Sequence, residues 1–367
     1  MSGELTHHDR IPLAAPALGE PERERVGRVL ESGMLAAGEE VERFEAEFAA
    51  FCGADHGVAT SNGTTALHAA LHALGVGPGD RVVTTPLSFV ATANAIRFCG
   101  ARPVFADVDP TTYALDPDAV ARVLRGTDDV AAMVVVHLYG LPAAMDRLAE
   151  LAEEHDVALV EDAAQAHGAE FQGRRVGSIG DVGCFSFYPT KNMTTGEGGM
   201  IVTDREGVAE RAARFVNHGR RGSDEHVEIG HNFRLTDLAA AIGRVQLERL
   251  PEFNARRREN AARLTDGLSR TDVGTPSEPG SRRHVYHQYT IRTADRAALR
   301  AHLDEHGIGS GVYYPTPIHR QPAYADVDGS FPAAERAAGE VVSLPVHPGV
   351  SEPDCRRIVD AVAGVRS

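Results

Sequence analysis

The chain reads as an α/β protein in two units. A large one is built on a mostly parallel seven-stranded sheet covered by helices, and a smaller α+β unit follows residue 250. Three observations predict this. From about residue 56, short β-branched runs alternate with longer Ala/Leu-rich amphipathic stretches, the pattern of strand–helix–strand crossovers. At 367 residues and 43% hydrophobic content, the chain can bury a large core and form two domains. The texture then changes after Pro251, where an Arg-rich helical stretch leads into a turn-rich loop at 274–281.

In chain order, 21–32 and 39–51 read as amphipathic helices outside the sheet. Strands are expected at 57–60, 81–85, 102–106, 131–137, 158–161, 182–186 and 200–203, each a short apolar or β-branched run bounded by turn residues. Helices are expected at 64–74, 90–98, 117–125, 145–154 and 236–249, where apolar residues recur with helical period. Beyond Pro251, a helix from 252 to about 268, a strand-like 285–292, a helix-like 294–306 and a last helix at 354–362 complete the smaller unit. The division is thus 1–250 and 251–367.

Composition excludes several classes. The formal charge is −15, and no basic run exceeds Arg256-Arg257-Arg258, so a nucleic-acid partner is not expected. No apolar run reaches the roughly 20 residues of a membrane span, and the first ten residues lack the apolar core of a signal peptide. The four cysteines are scattered without CxxC pairing. Free thiols, no zinc site and a cytoplasmic location are the expectation.

Of the 37 basic residues only Lys191 is a lysine. Arginine can carry surface charge, but its delocalised guanidinium cannot act as an amine nucleophile. A chain with one lysine either needs an amine there, typically for a Schiff base to a carbonyl, or keeps it by accident of an Arg-biased composition. The neighbours must decide.

In Leu159-Val160-Glu161-Asp162 an apolar run ends in acid, which sets Asp162 at the carboxyl end of a strand, where open α/β sheets bind ligands. A buried carboxylate there suits a protonated ring nitrogen, although an Asp at a strand–helix turn also caps helices. Ser186, ending the run before Lys191, could bind a phosphate or close a strand. Ser61-Asn62-Gly63-Thr64-Thr65 joins a strand to a helix; backbone amides at such a turn cradle phosphate, and the same residues cap helices. No lysine follows as in a P-loop, and the glycines at 177–183 precede a strand rather than follow one, so neither an NTP nor a dinucleotide site is indicated. Phe89, just past a strand, could stack on a planar ring or sit in the core.

Taken in order, seven segments resemble the DegT/DnrJ/StrS family of pyridoxal-phosphate sugar aminotransferases, of the fold-type-I superfamily. They are 61–67 (SNGTTAL), 88–95 (SFVATANA), 161–166 (EDAAQA), 185–191 (FSFYPTK), 196–199 (GEGG), 230–237 (GHNFRLTD) and 313–319 (YYPTPIH). The resemblance covers the chain from about Pro12 to its end. It implies that Lys191 forms the Schiff base with pyridoxal phosphate and shuttles protons, that Asp162 pairs with the ring nitrogen, and that Gln165 contacts the phenolic oxygen. It implies that Phe89 stacks on the ring and that Gly63, Thr64, Ser186 and, less directly, Thr65 hold the phosphate. Asn232 would reach the phosphate of a neighbouring subunit, which implies a homodimer with shared active sites. Tyr314, His319 and His167 would face the substrate, with His319 otherwise an ordinary surface histidine. A related branch that dehydrates its substrate has histidine in place of the lysine, so Lys191 favours amino transfer.

The expected activity is therefore transfer of an amino group from glutamate, or glutamine, to a keto group of a nucleotide-linked sugar. A keto-cyclitol acceptor and a regulatory, cofactor-binding role are the alternatives.

Overall fold

The computed structural model describes residues 10–365; the last two residues and residues 1–9, nearly all of the ten-residue stretch read as lacking a signal-peptide core, lie outside that range. Seven strands form the main sheet: β1 (His56–Thr60), β2 (Arg81–Thr84), β3 (Arg102–Phe105), β4 (Val130–Val136), β5 (Ala158–Asp162), β6 (Val182–Ser186) and β7 (Gly199–Thr203). Their order is β1-β7-β6-β5-β4-β2-β3. All neighbours are parallel except at β7, which runs antiparallel to both β1 and β6. The seven strands match the expected positions within one or two residues. The reversal of β7 has no signal in the sequence.

The strands are covered on both faces, so the central ones are almost wholly apolar, as Val-Ala-Ala-Met-Val-Val-Val in β4 shows. On one face Val134, Val160, Val182 and Ile201 pack against α3 (Gly63–Ala73), α4 (Ala91–Phe98) and α7 (Glu206–Val216). On the other, Met133, Val135 and Leu159 meet α5 (Pro117–Gly126) and α6 (Met145–Glu154). Further along that sheet, Ala59, Phe185 and Met200 pack with Phe44 and Phe48 of α2 (Glu39–Cys52). A first helix, α1 (Glu20–Ser32), lies outside the sheet, as expected.

A correction concerns Pro251. The sequence predicts a break there between helices 236–249 and 252–268, but the structure has one helix, α8 (Asp237–Leu268), with Pro251 inside it. Proline removes one N–H and crowds the carbonyl four residues back, which bends a helix more often than it stops one when both flanks are packed. Here both are: Leu247 and Leu250 belong to the core around Phe44 and Phe48. Ala261, Leu264 and Leu268 belong to a separate C-terminal cluster.

That second cluster includes β8 (Tyr289–Arg292), paired antiparallel with β9 (Val341–Leu344), and α9 (Arg296–Glu305) and α11 (Glu352–Gly364). Helix α10 (Pro332–Glu340) instead packs with Leu87, Val136 and Tyr139. Ile11, from the start of the described chain, also packs in the C-terminal cluster, and its N–H donates to the Gly307 carbonyl (2.8 Å). The four cysteines are free thiols. Among the described residues no helix is long and apolar enough to cross a membrane.

Candidate active site

The parallel strands all point their carboxyl ends to one edge, and the site is assembled there. Thr60, Gly199 and Ser186 lie side by side in register at the ends of β1, β7 and β6, and Asp162 ends β5, the next strand in. The turn after β1 lies directly on this edge. A methyl group on Gly63 would come within 2.6 Å of the Ser186 Cβ, and one on Gly199 within 2.4 Å of the Asn62 carbonyl oxygen. Only glycine permits so close an approach.

Helix α3 starts at this turn. Asn62 and Thr65 form a reciprocal cap: the Thr65 N–H donates to Asn62 Oδ1 (2.9 Å) and the Asn62 N–H to Thr65 Oγ1 (3.1 Å). Capping is therefore the work of those two side chains. The N–H groups of Gly63 and Thr64 have no intrahelical partner, and with the Thr64 and Ser186 hydroxyls they form a donor set suited to a phosphate.

Asp162 is 5% exposed. Burial raises its pKa, opposed by the Thr92 hydroxyl, the Ala164 N–H and the charge of Lys191. The Lys191 ammonium is in turn pushed down to about 8 by burial, with Asp162 working the other way. That shift raises the share of neutral amine available near neutral pH, the state a nucleophile needs. The loop carrying it is pinned. The Lys191 N–H donates to the Tyr188 carbonyl (2.9 Å), Asn192 Nδ2 to Asn254 Oδ1 (2.8 Å) and the Val285 carbonyl (3.0 Å), and Thr194 Oγ1 to the Phe187 carbonyl (2.8 Å).

Gln165 is buried and fixed at both ends. Its Oε1 accepts the Tyr139 N–H (2.7 Å) and its Nε2 donates to the Tyr314 hydroxyl (2.7 Å). The Tyr139 hydroxyl donates in turn to the Tyr313 carbonyl. Burial and the nearby Asp162 charge raise the Tyr314 phenol well above its usual range, so it is a neutral hydrogen-bonding group. Phe89 is 57% exposed, which removes the core alternative, and its ring lies 6.1 Å from that of Tyr314. The two border a cavity of about 440 Å³, together with Val90, Thr316, Ile318 and Gln321.

The remaining expected residues lie differently. His167 is fully buried, ringed by Phe48, Phe185 and Phe187, and burial pushes it down to about 3. Neither of its ring nitrogens makes a hydrogen bond of full geometry, although the Ser186 backbone and the Lys191 charge both act on it. His319 is not the surface histidine its residue type suggests. Its side chain is buried, with Nε2 3.0 Å from Glu335 and the ring against Phe331, and it does not border the Phe89–Tyr314 cavity. Asn232 is exposed beside the turn, where the Ser61 N–H donates to the next carbonyl, that of Phe233 (2.6 Å).

Sequence reasoning passes over Tyr139, Thr92 and the buried His137–Glu161 pair (2.9 Å). Burial would raise the Glu161 pKa, but His137 and the N–H groups of Gly177 and Gly180 hold it below the ordinary range. Thr92 and Ser88 have a signal, a pair of hydroxyls four residues apart at a helix start; Tyr139 has none.

Taken together, a partly neutral amine, a buried carboxylate, an exposed ring and a phosphate cradle too tight for a Cβ fit pyridoxal phosphate. Comparisons with known proteins agree. Residues 16–363 match the model of the DegT/DnrJ/EryC1/StrS aminotransferase family. The chain is 43% identical to a dTDP-3-amino-3,4,6-trideoxy-alpha-D-glucose transaminase of Streptomyces venezuelae, over 92% of this chain and 90% of that one. It is 42% identical to a protein of Geobacillus stearothermophilus named a pleiotropic regulatory protein, over 94% of each. Its fold superposes on the crystal structure of S. venezuelae DesV, solved with a ketimine intermediate, with a TM-score of 0.91 at 42% identity, covering 94% and 95% of the two chains.

Proposed function

The chain belongs to the DegT/DnrJ/EryC1/StrS aminotransferase family and is a pyridoxal-phosphate-dependent aminotransferase, and from that premise we propose that it moves an amino group from glutamate, or glutamine, to a keto group of a nucleotide-linked sugar. The acceptor class is supported by relatives named for dTDP-, UDP- and GDP-linked amino sugars. The observation that supports the mechanism most is the buried Asp162 carboxylate at the carboxyl end of β5, near enough to the Lys191 ammonium for each charge to act on the other.

When bound, pyridoxal phosphate supplies an aldehyde that condenses with amines and a cationic ring that draws electrons from the adjacent carbon. Lys191 would hold the cofactor aldehyde through its amine, and the same amine, when free, could accept and return a proton at the substrate carbon. Asp162 would hold the ring nitrogen in its protonated form. Gly63, Thr64 and Ser186 bind the phosphate, with Thr65 acting through the cap it forms with Asn62. Phe89 covers the ring face and shields it from water, and Gln165, held by Tyr139 and Tyr314, orients the ring hydroxyl. Tyr314 borders the substrate cavity. His167 and His319 would shape the site through their neighbours, since neither borders that cavity. The sheet-bearing unit, 1–250, carries most of the site, and the smaller unit, 251–367, contributes Tyr314. Asn232, exposed beside the Ser61 turn, would reach the phosphate of a second copy in a homodimer.

Transfer in two halves splits one difficult exchange into two proton shifts, each at an activated carbon. The test is spectroscopic. Glutamate or glutamine should convert the yellow protein to its pyridoxamine form, and a keto-sugar nucleotide should restore the yellow. The same assay with a keto-cyclitol separates that acceptor. A second reading, a regulatory protein that binds the cofactor with little turnover, is favoured by the name of the Geobacillus relative. A yellow protein unchanged by either donor would select it.

A further inference from the structure

We propose that Thr92, aligned by Ser88, is a positioning residue that keeps Asp162 an anion and fixes which carboxylate oxygen is free to face the cofactor ring. The inference rests on the reading of Asp162 as the partner of the ring nitrogen.

A carboxylate as buried as Asp162 drifts toward its protonated form unless donors hold it. It has two. Thr92 Oγ1 donates to Oδ2 at 2.8 Å, and the Ala164 N–H donates to Oδ1 at a longer 3.3 Å. Thr92 is 1% exposed, and its oxygen lies 3.0 Å from the hydroxyl of Ser88, itself 4% exposed. Either of those two hydroxyls could donate to the other, but the carboxylate decides between them. An ionised Asp only accepts, so the single Thr92 hydrogen goes to Oδ2 and Ser88 must donate to Thr92. The result is a directional chain, Ser88 to Thr92 to Asp162, sealed from water and ending on a negative charge. A proton on Oδ2 would reverse that order, with Asp162 donating to Thr92 and Thr92 to Ser88.

The chain also chooses an oxygen. Oδ2 is taken by the short bond from α4, whereas Oδ1, with only the long Ala164 contact, keeps capacity to accept a ring N–H. The other groups facing Asp162 do not substitute for Thr92. Lys191 stabilises the anion by charge but is consumed as the anchor. His137 has its Nε2 on Glu161 and its Nδ1 accepting the Ala143 N–H. The Cys184 thiol and Tyr314 phenol are both raised, by burial first and by the charge of Asp162 second.

The test uses the holoprotein loaded with pyridoxal phosphate carrying nitrogen-15 in its ring, whose chemical shift distinguishes protonated from free nitrogen. Wild type should show a protonated ring. Thr92→Val, close in shape, should move the shift toward the unprotonated form and lower the glutamate half-reaction rate about tenfold to a hundredfold, as loss of a hydrogen bond to a charged group predicts. KM for glutamate should stay within about twofold, since ground-state binding is untouched. Thr92→Ser should restore both signals, and Ser88→Ala should fall between. Thr92→Val with a protonated ring and wild-type rate overturns the proposal. If Thr92→Val does not fold, Ser88→Ala decides the matter through the same two signals, and its wild-type behaviour in both overturns the proposal. An Asp162→Asn protein whose ring nitrogen remains protonated would overturn the Asp162 reading and this inference with it. Should Asp162→Asn move the shift while Thr92→Val does not, only the role of Thr92 falls.

Discussion

Lys191 has no substitute among the 36 arginines of the chain, because a guanidinium neither loses its proton nor condenses with an aldehyde. Its solitude in the sequence has a physical counterpart in the fold: burial lowers the ammonium to about 8, and the anion that opposes this is Asp162. Both residues are legible from residue type and position, one as a lone amine, the other as an acid ending an apolar run. Gly63 is legible only as a turn. What demands it is the Ser186 side chain 2.6 Å from where its Cβ would be, a contact between residues far apart in sequence. Gly63→Ala should therefore force the turn off the sheet edge and weaken pyridoxal phosphate binding about tenfold or more, measured by titrating the apoprotein. Unchanged affinity would remove the turn from the phosphate site. The histidines are the least legible. His167 and His319 carry the right chemistry for a substrate site, yet burial among phenylalanines and a bond to Glu335 decide their surroundings, and nothing in a lone histidine's neighbours along the chain reveals that.

Elements read best where one period dominates. The central strands are covered on both faces, so their apolar runs stand out, and all seven appear where expected. Helix α10 escapes a reading by pattern because it is nine residues dominated by alanine, whereas α7 does carry an apolar stripe, Val208, Ala209, Ala212, Phe215 and Val216, that the sequence reading passes over. The single helix α8 reads as two because Pro251 is a local stop signal, and tertiary packing on both sides overrides it. The N-terminus of that helix does a second job invisible to local reading. Asp237, 3% exposed, accepts the N–H groups of Gly38 (2.8 Å) and Val41 (3.0 Å), capping α2 from across the fold. Asp237→Ala leaves two donors unmet and should cost about 1–3 kcal/mol, read by denaturant unfolding. A loss below about 0.5 kcal/mol would mean water replaces the cap.

At the scale of the molecule, the carboxyl edge of the parallel sheet is where strand ends, the Lys191 loop and the Tyr313–Tyr314 segment converge. That convergence follows from topology, since every parallel strand delivers its last residue to the same edge. The proposed homodimer adds a requirement that one chain cannot meet, a phosphate contact from the exposed Asn232 of a second copy. Co-expression tests it. Lys191→Ala and Asn232→Ala chains, each impaired alone at limiting cofactor, should together recover activity, because mixed dimers contain one intact site. Random pairing predicts about a quarter of the wild-type rate. Activity no greater than the sum of the two homodimers would show that Asn232 serves its own chain or none.

The central claim is that Lys191 holds the cofactor covalently. Borohydride reduction of the purified holoprotein, followed by peptide mapping, tests it with unusual clarity, since the N-terminal amine is the only other primary amine in the chain. The yellow colour should bleach and the cofactor mass should appear on the peptide containing Lys191 alone. Bleaching with the mass on the N-terminal peptide, or no covalent label on a protein that had been yellow, would contradict that claim.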